Sequence, residues 1–479
     1  MKDLATRAIS TASVQGARYA DVRIMKSRNQ SVALKNGKVE SLGDFDSIGF
    51  GVRVLVGDAW GFASSVDITP AEIDRVTALA VETARASAMV PGKPVDLGPP
   101  VTSVGSYVTP FRIDPFSVSL ESKLALLMDC DLRIRRNPRI KVSEGSLLSV
   151  RVDKIFANSE GACVEQTLFE AGGSISATAI EGNEIQVRSY PHSFRQQGTG
   201  GWEYILDADY AGNAERIAEE AVQLLTADTC PAKTTTLILG SSQLALQIHE
   251  SCGHPAELDR VYGTEAAFAG RSFLTTDKLR GFRYGSEMVN LTADSLSPTG
   301  LGTFGWDDEG VPASRTPIVR QGMFAGYLMS RETASTLGMQ SNGCMRADGW
   351  NRIPLIRMAN VSLEPGTWEV DDMIADTDDG IFMETNRSWS IDDMRYNFQF
   401  GTEVGYEIKN GKKGRLLKNC TYAGITPEFW NSCDAIANAN HWKLWGTPNC
   451  GKGEPMQTMG TGHGAAPGRF RNVRVGVFR

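Results

Sequence analysis

Apolar and polar positions along this 479-residue chain change period several times. Residues 2–17 place apolar side chains at helical spacing. Residues 20–65 then alternate with a period of two, as in ADVRIMKSRNQSVALKNGKVESLG, which predicts antiparallel strands. Asn36-Gly37, set between Val32-Ala33-Leu34 and Val39, marks a type I′ hairpin. Thr69-Pro70-Ala71-Glu72 puts a capping threonine before a proline at the first helical position and opens a helix to about Ser87. The same order then repeats. A helix is predicted over 120–136, strands over 140–190 with breaks at 158–162 and 181–183, and a helix over 207–227 capped near Asp207 or Asp209. Residues 91–117, rich in Pro, Gly, Ser and Val and without period, read as a linker. From residue 229 onward the chain is Gly-rich and strand-like, with turns at Gln321-Gly322 and Asn410-Gly411 and short helices at 330–337 and 426–437. The predicted fold is α+β. Two smaller helix–antiparallel-strands–helix units, residues 1–90 and 118–228, precede a large β-rich domain, residues 229–479.

Composition narrows the function classes. The net charge is −7 and no basic patch stands out, so no nucleic-acid partner is expected. No apolar run approaches the roughly 20 residues of a membrane span, and the polar N-terminus lacks a signal-peptide core. The eight cysteines are scattered without a CxxC pair and read as reduced thiols of a cytoplasmic protein.

The chemistry concentrates in TTTLILGSSQLALQIHESCGHPAELD, residues 234–259, where a strand-like run leads through a Gly-Ser-Ser turn into a helix. Two of the chain's five histidines lie there, as His249-Glu250-Ser251-Cys252-Gly253-His254. This is one residue longer than the H-E-x-x-H motif of zinc hydrolases. In a regular α-helix, positions five apart diverge by roughly 140°, so both imidazoles cannot face one ion. Either a π turn widens the helix, or Gly253 ends it and His254 swings back. Pro255 favours the second, because the residue before proline avoids the α region. Glu250 would then stand beside the metal as general base.

A catalytic zinc takes three protein ligands and keeps one open position. Candidates for the third ligand are Cys252, Cys450, His441, His463, Glu257 and Asp259. Cys252 lies between the two histidines and reads as a spacer pointing away from them. Cys450, in the Gly-flanked loop Asn449-Cys450-Gly451-Lys452-Gly453, has backbone room to approach a metal. His463, in a Gly-rich loop, could support a ligand from behind, contact substrate or face solvent, and the latter two are favoured. His441 and His192 read as ordinary surface or partly buried residues. The acids at 307–309 and at 371–379 read as solvated turns rather than cation sites. Gly300-Leu301-Gly302-Thr303-Phe304-Gly305 matches a dinucleotide fingerprint only by letter, since no apolar strand precedes it and no helix follows.

These motifs together resemble the TldD/PmbA peptidases, also known as modulators of DNA gyrase. The likeness covers most of the chain. It is densest at 249–255, at Thr303-Phe304-Gly305-Trp306-Asp307-Asp308-Glu309-Gly310, at Ile356-Arg357-Met358-Ala359-Asn360 with Pro365-Gly366, and at Cys450-Gly451-Lys452. The resemblance implies zinc held by His249, His254 and Cys450, with Glu250 as base, and a TldD-type subunit rather than its TldE/PmbA-type partner. It implies an enclosed site that cuts unfolded or modified peptides, and a homodimer or a heterodimer with a TldE/PmbA-like chain. Two rival readings are a non-catalytic peptide-binding subunit with a structural metal and a hydrolase of non-peptide amides.

Overall fold

The computed structural model describes residues 1–90 and 92–477. Pro91, in the predicted linker, and residues 478–479, in the predicted C-terminal domain, lie outside the described residues. The architecture is mixed α/β, with N-terminal helix–strand units and a large β-rich body.

The first unit runs from helix Lys2–Val14 through strands Tyr19–Lys35, Lys38–Val56 and Ala59–Ser65 to helix Pro70–Ser87. The second runs from helix Leu120–Ile134 through strands Ile140–Asn158, Cys163–Glu181 and Glu184–Tyr190 to helix Tyr210–Thr226. Local chemistry sets the helix starts. Thr69 Oγ1 accepts the Glu72 N–H at 3.3 Å, and Asp209 caps the helix at Tyr210 by accepting from Gly212. The two units share one eight-stranded sheet, because Tyr19–Lys35 pairs antiparallel with Ile140–Asn158 from Asp21↔Asn158 to Lys35↔Glu144. That strand serves two cores. Ala20, Val22 and Ile24 pack with the first unit's Val76 and Ala80, whereas Val32 and Leu34 pack with the second unit's Leu127 and Ile134. The aperiodic stretch read as a linker also contributes, since Val104–Val108 pairs in parallel with Cys163–Glu181.

In the C-terminal body, strand Lys233–Leu239 lies between Asp379–Ile391 and Gly468–Val475. A second sheet of six strands ends in Asn360–Leu363, Gln457–Ala465 and, at its edge, Lys443–Lys452. Helix Ser241–Ile248 lies between the two sheets and buries Leu244 and Ile248 in their common core. The predicted Asn-Gly and Gln-Gly turns are in place. Asn36, Gln321 and Asn410, with the glycines after them, all have positive φ and join neighbouring strands.

Two expectations are corrected. The helix predicted over 426–437 stops at Asn431, because Cys433–Ile436 pairs with Gly468–Val475. The acids at 307–309 are buried rather than solvated. Asp308 accepts from Lys154 at 2.5 Å and from Arg23 at 3.3 Å, both on strands of the N-terminal sheet. Glu309 lies 3.4 Å from Arg53, and Asp307 caps its own loop by accepting the N–H groups of Glu309, Val311 and Met345. The cluster clamps the N-terminal sheet to the C-terminal body. Asp371, Asp372, Asp376 and Asp378 do lie exposed.

Candidate metal centre

Strand Lys233–Leu239 turns at Gly240 into helix Ser241–Ile248, and at His249 that helix widens. Residues His249–Gly253 form a π turn, and the His254 N–H donates to the His249 carbonyl. This corrects the expectation that Gly253 ends the helix. Gly253 stays helical at φ −70° and His254 at φ −58°, although a proline follows. A bond from residue i to i+5 brings positions five apart to within roughly 50° of one another, against roughly 140° in an α-helix. Both imidazoles therefore face the same way. The glycine serves packing, since Met358 Sδ lies 2.0 Å from where a Cβ at Gly253 would sit.

Strand Lys443–Lys452 brings the third group. One ligand atom each from His249, His254 and Cys450 lies within 4.8 Å of the others, and all three residues are buried. His254 Nε2 stands 3.6 Å from Cys450 Sγ. The other nitrogen of each imidazole is occupied. His254 Nδ1 lies 3.0 Å from the Glu257 carboxylate, which Arg260 and Lys452 flank. His249 Nδ1 lies 2.7 Å from Nε2 of His463, which is fully buried rather than substrate-contacting or solvent-facing. His463 Nδ1 is 3.0 Å from the Val361 carbonyl. A carbonyl only accepts, so His463 carries its proton on Nδ1, and its Nε2 accepts from His249 Nδ1–H. This leaves His249 Nε2 with a free lone pair, and the same reasoning from Glu257 frees Nε2 of His254.

Electrostatics suit metal binding. Burial lowers the pKa values of His249, His254 and His463, which keeps the imidazoles neutral. Burial opposes ionisation of the Cys450 thiol, but the Arg357 guanidinium leads the opposing influences, and the thiol's pKa lies below the usual value. Burial likewise opposes a charged Glu257, yet Lys452 and His254 keep it well below the usual carboxylate range. Metal ligands bind in these states, as thiolate and neutral imidazole.

The remaining candidates fall elsewhere. The Cys252 thiol is pushed up to about 12 by burial and accepts from Tyr284 Oη at 3.1 Å. Asp259 binds Lys452 at 2.7 Å, His441 pairs with Glu369 on the surface, and His192 is buried against Trp445. Arg357, in one of the stretches that carry the family resemblance, donates to the Cys450 carbonyl. Thr461, 3.0 Å from His463 Nε2, has no local signal in the sequence, because it acts across strands.

Glu250 lines a cavity of about 380 Å³ together with the three clustered side chains. Phe194 and Trp389 form an aromatic wall, with ring centroids 5.2 Å apart. Two strand edges flank the cavity. Among the described strands, Lys443–Lys452 pairs only with Gln457–Ala465. The end of Asp379–Ile391, from Ser388 on, pairs only with Asn397–Lys409.

Sequence comparison matches residues 20–87 to PmbA/TldA metallopeptidase domain 1, 113–227 to the central domain and 232–476 to the C-terminal domain. A metalloprotease of Methanocaldococcus jannaschii is 30% identical over 93% of this chain and 95% of its own. The zinc metalloprotease TldD homolog of Saccharolobus solfataricus is 22% identical over 98% of this chain and 99% of its own. The fold matches a crystal structure from Thermotoga maritima, described as a candidate modulator of a DNA gyrase, with a TM-score of 0.79 and 16% identity over 99% of this chain and 100% of that one. It matches TldE from Thermococcus kodakarensis with a TM-score of 0.75 and 16% identity over 99% and 100%. Three consecutive domain matches and a relative of near-equal length agree with a buried His-His-Cys cluster, and on that ground the chain belongs to the PmbA/TldD family and is a metallopeptidase.

Proposed function

We propose that the chain is a zinc peptidase that cuts unfolded or modified peptides, with His249, His254 and Cys450 as ligands and Glu250 as general base. The carrying observation is the convergence of two neutral imidazoles and an acidified thiol beside a carboxylate, in one cavity. Two nitrogens and one sulfur leave a fourth position open, and a thiolate ligand favours zinc. Bound zinc supplies polarisation of the scissile carbonyl and a water acidic enough to ionise near neutral pH. Glu250 takes the proton of the attacking water and passes it to the leaving amine. The free edge of Asp379–Ile391 beyond Ser388 offers backbone donors and acceptors to an extended peptide, which gives affinity with little sequence preference. The reading includes a cytoplasmic setting, which suits eight free cysteines. It also includes a paired assembly with a second copy or a TldE-like chain.

The test measures metal content and peptide turnover together. Glu250→Gln is expected to keep zinc and lose about 10²-fold or more in turnover of a denatured protein. Cys450→Ser is expected to lower zinc per chain. Full turnover by the first variant removes the base role, and undiminished zinc in the second moves the third ligand elsewhere.

A further inference from the structure

The cavity contains one charged side chain that the mechanism above leaves idle. Arg395 lines it beside Glu250, with Nη1 4.0 Å from Glu250 Oε2. It sits in the hairpin between strands Asp379–Ile391 and Asn397–Lys409, in a left-handed backbone conformation at φ 60°. That conformation is disfavoured for a residue with a Cβ and persists only where the surroundings fix it.

The surroundings fix it without using the guanidinium. The Asp392 carboxylate accepts the N–H groups of Tyr396 and Asn397 at 2.6 and 3.2 Å. The Arg395 N–H donates to the Asp392 carbonyl, and the Thr426 hydroxyl donates to the Arg395 carbonyl. The N–H groups of Arg271 and Phe273 hold the carbonyls of Asp393 and Met394.

The guanidinium itself is poorly served. Nη2 donates to the Ala269 carbonyl at 3.3 Å, an acceptor that Arg260 already occupies at 2.8 Å. Nε has no partner among the described residues. The side chain is only 13% exposed. Burial disfavours its charge and Glu250 offsets part of that penalty. A largely desolvated planar cation with spare donors, lining a reaction cavity, suits an oxygen on which negative charge develops.

Peptide hydrolysis creates such an oxygen. Water adds to the scissile carbonyl, an O–C bond forms, and the carbonyl π pair moves onto its oxygen. Glu250 holds the proton until the C–N bond breaks and the nitrogen takes it. We propose that Arg395 is a catalytic residue that donates to this oxyanion, an assignment that rests on the peptidase reading above.

The test compares wild-type, Arg395→Gln and Arg395→Lys holoenzymes on an unstructured fluorogenic peptide, with zinc content and melting temperature measured alongside. Arg395→Gln is expected to lower kcat by about 10²-fold with KM, zinc and melting temperature unchanged. Arg395→Lys should recover part of the loss. Affinity for a phosphinic peptide, a tetrahedral anion mimic, should fall in parallel with kcat/KM. Undiminished kcat in Arg395→Gln, a loss confined to KM, or a loss that tracks zinc or melting temperature overturns the role. Wild-type protein that turns over no peptide overturns the peptidase reading and this role with it, whereas an active wild type with an active Arg395→Gln variant overturns this role alone.

Discussion

His463 sits outside the histidine–glutamate motif, yet it decides which nitrogen of His249 is free. The proton order runs from the Val361 carbonyl through His463 to His249. Replacing His463 with Phe removes the acceptor and lets the His249 ring turn. Zinc affinity, measured by chelator competition, should fall about 10- to 100-fold. An unchanged affinity would mean that packing alone orients His249. At this scale the chain was partly legible. His249, Glu250 and His254 stood out by spacing, and Cys450 was one candidate among several until the family resemblance singled it out. The places of His463 and Arg395 were not legible. Their roles depend on neighbours that pairing brings together, such as His463 opposite Trp445 on the adjacent strand.

The π turn is the element on which the cluster depends. It costs regular hydrogen bonding, and at Gly253 the Met358 side chain occupies the space that a Cβ would need. Gly253→Ala forces a Cβ into the Met358 sulfur and should destabilise the protein by about 1–3 kcal/mol, with loss of zinc, in thermal melts and metal analysis. Adding Met358→Ala should restore much of both. If the double variant behaves like the single one, the glycine matters for its backbone and not for the contact. Elements set by local chemistry were readable: the Thr69-Pro70 helix start, the Asn36-Gly37 and Asn410-Gly411 turns, and the alternation of the long hairpins. Elements set by distant partners were not. Strand Val104–Val108 is hidden in an aperiodic stretch and exists because Cys163–Glu181 offers it an edge. The proline before which His254 should have left the helix pointed the wrong way, because the whole turn is buried.

Across the whole molecule, the acids at 307–309 join the N-terminal sheet to the body that carries the His-His-Cys cluster. Asp308→Ala leaves Lys154 and Arg23 buried without their shared carboxylate. The expected loss is about 3–5 kcal/mol, read in denaturant unfolding. A loss no larger than that of a surface substitution would show that the two parts hold together without this clamp. Sequence alone made these acids look solvated, because their cations lie on strands of the other half. The two N-terminal units are also joined to each other, since strand Tyr19–Lys35 belongs to both their cores.

Strand Gly468–Val475 lies inside its sheet, between Lys233–Leu239 and Cys420–Ile425. The helix bearing His249 follows directly from one of those neighbours. During synthesis, a nascent chain displays its two motif histidines some two hundred codons before the ribosome reaches Cys450. Until residue 475 has emerged, the sheet behind that helix has a gap at its centre. On the ligand set proposed above, hydrolytic competence therefore waits for Cys450 and for strand Gly468–Val475, by which point the polypeptide can already fold around the groups of the cavity.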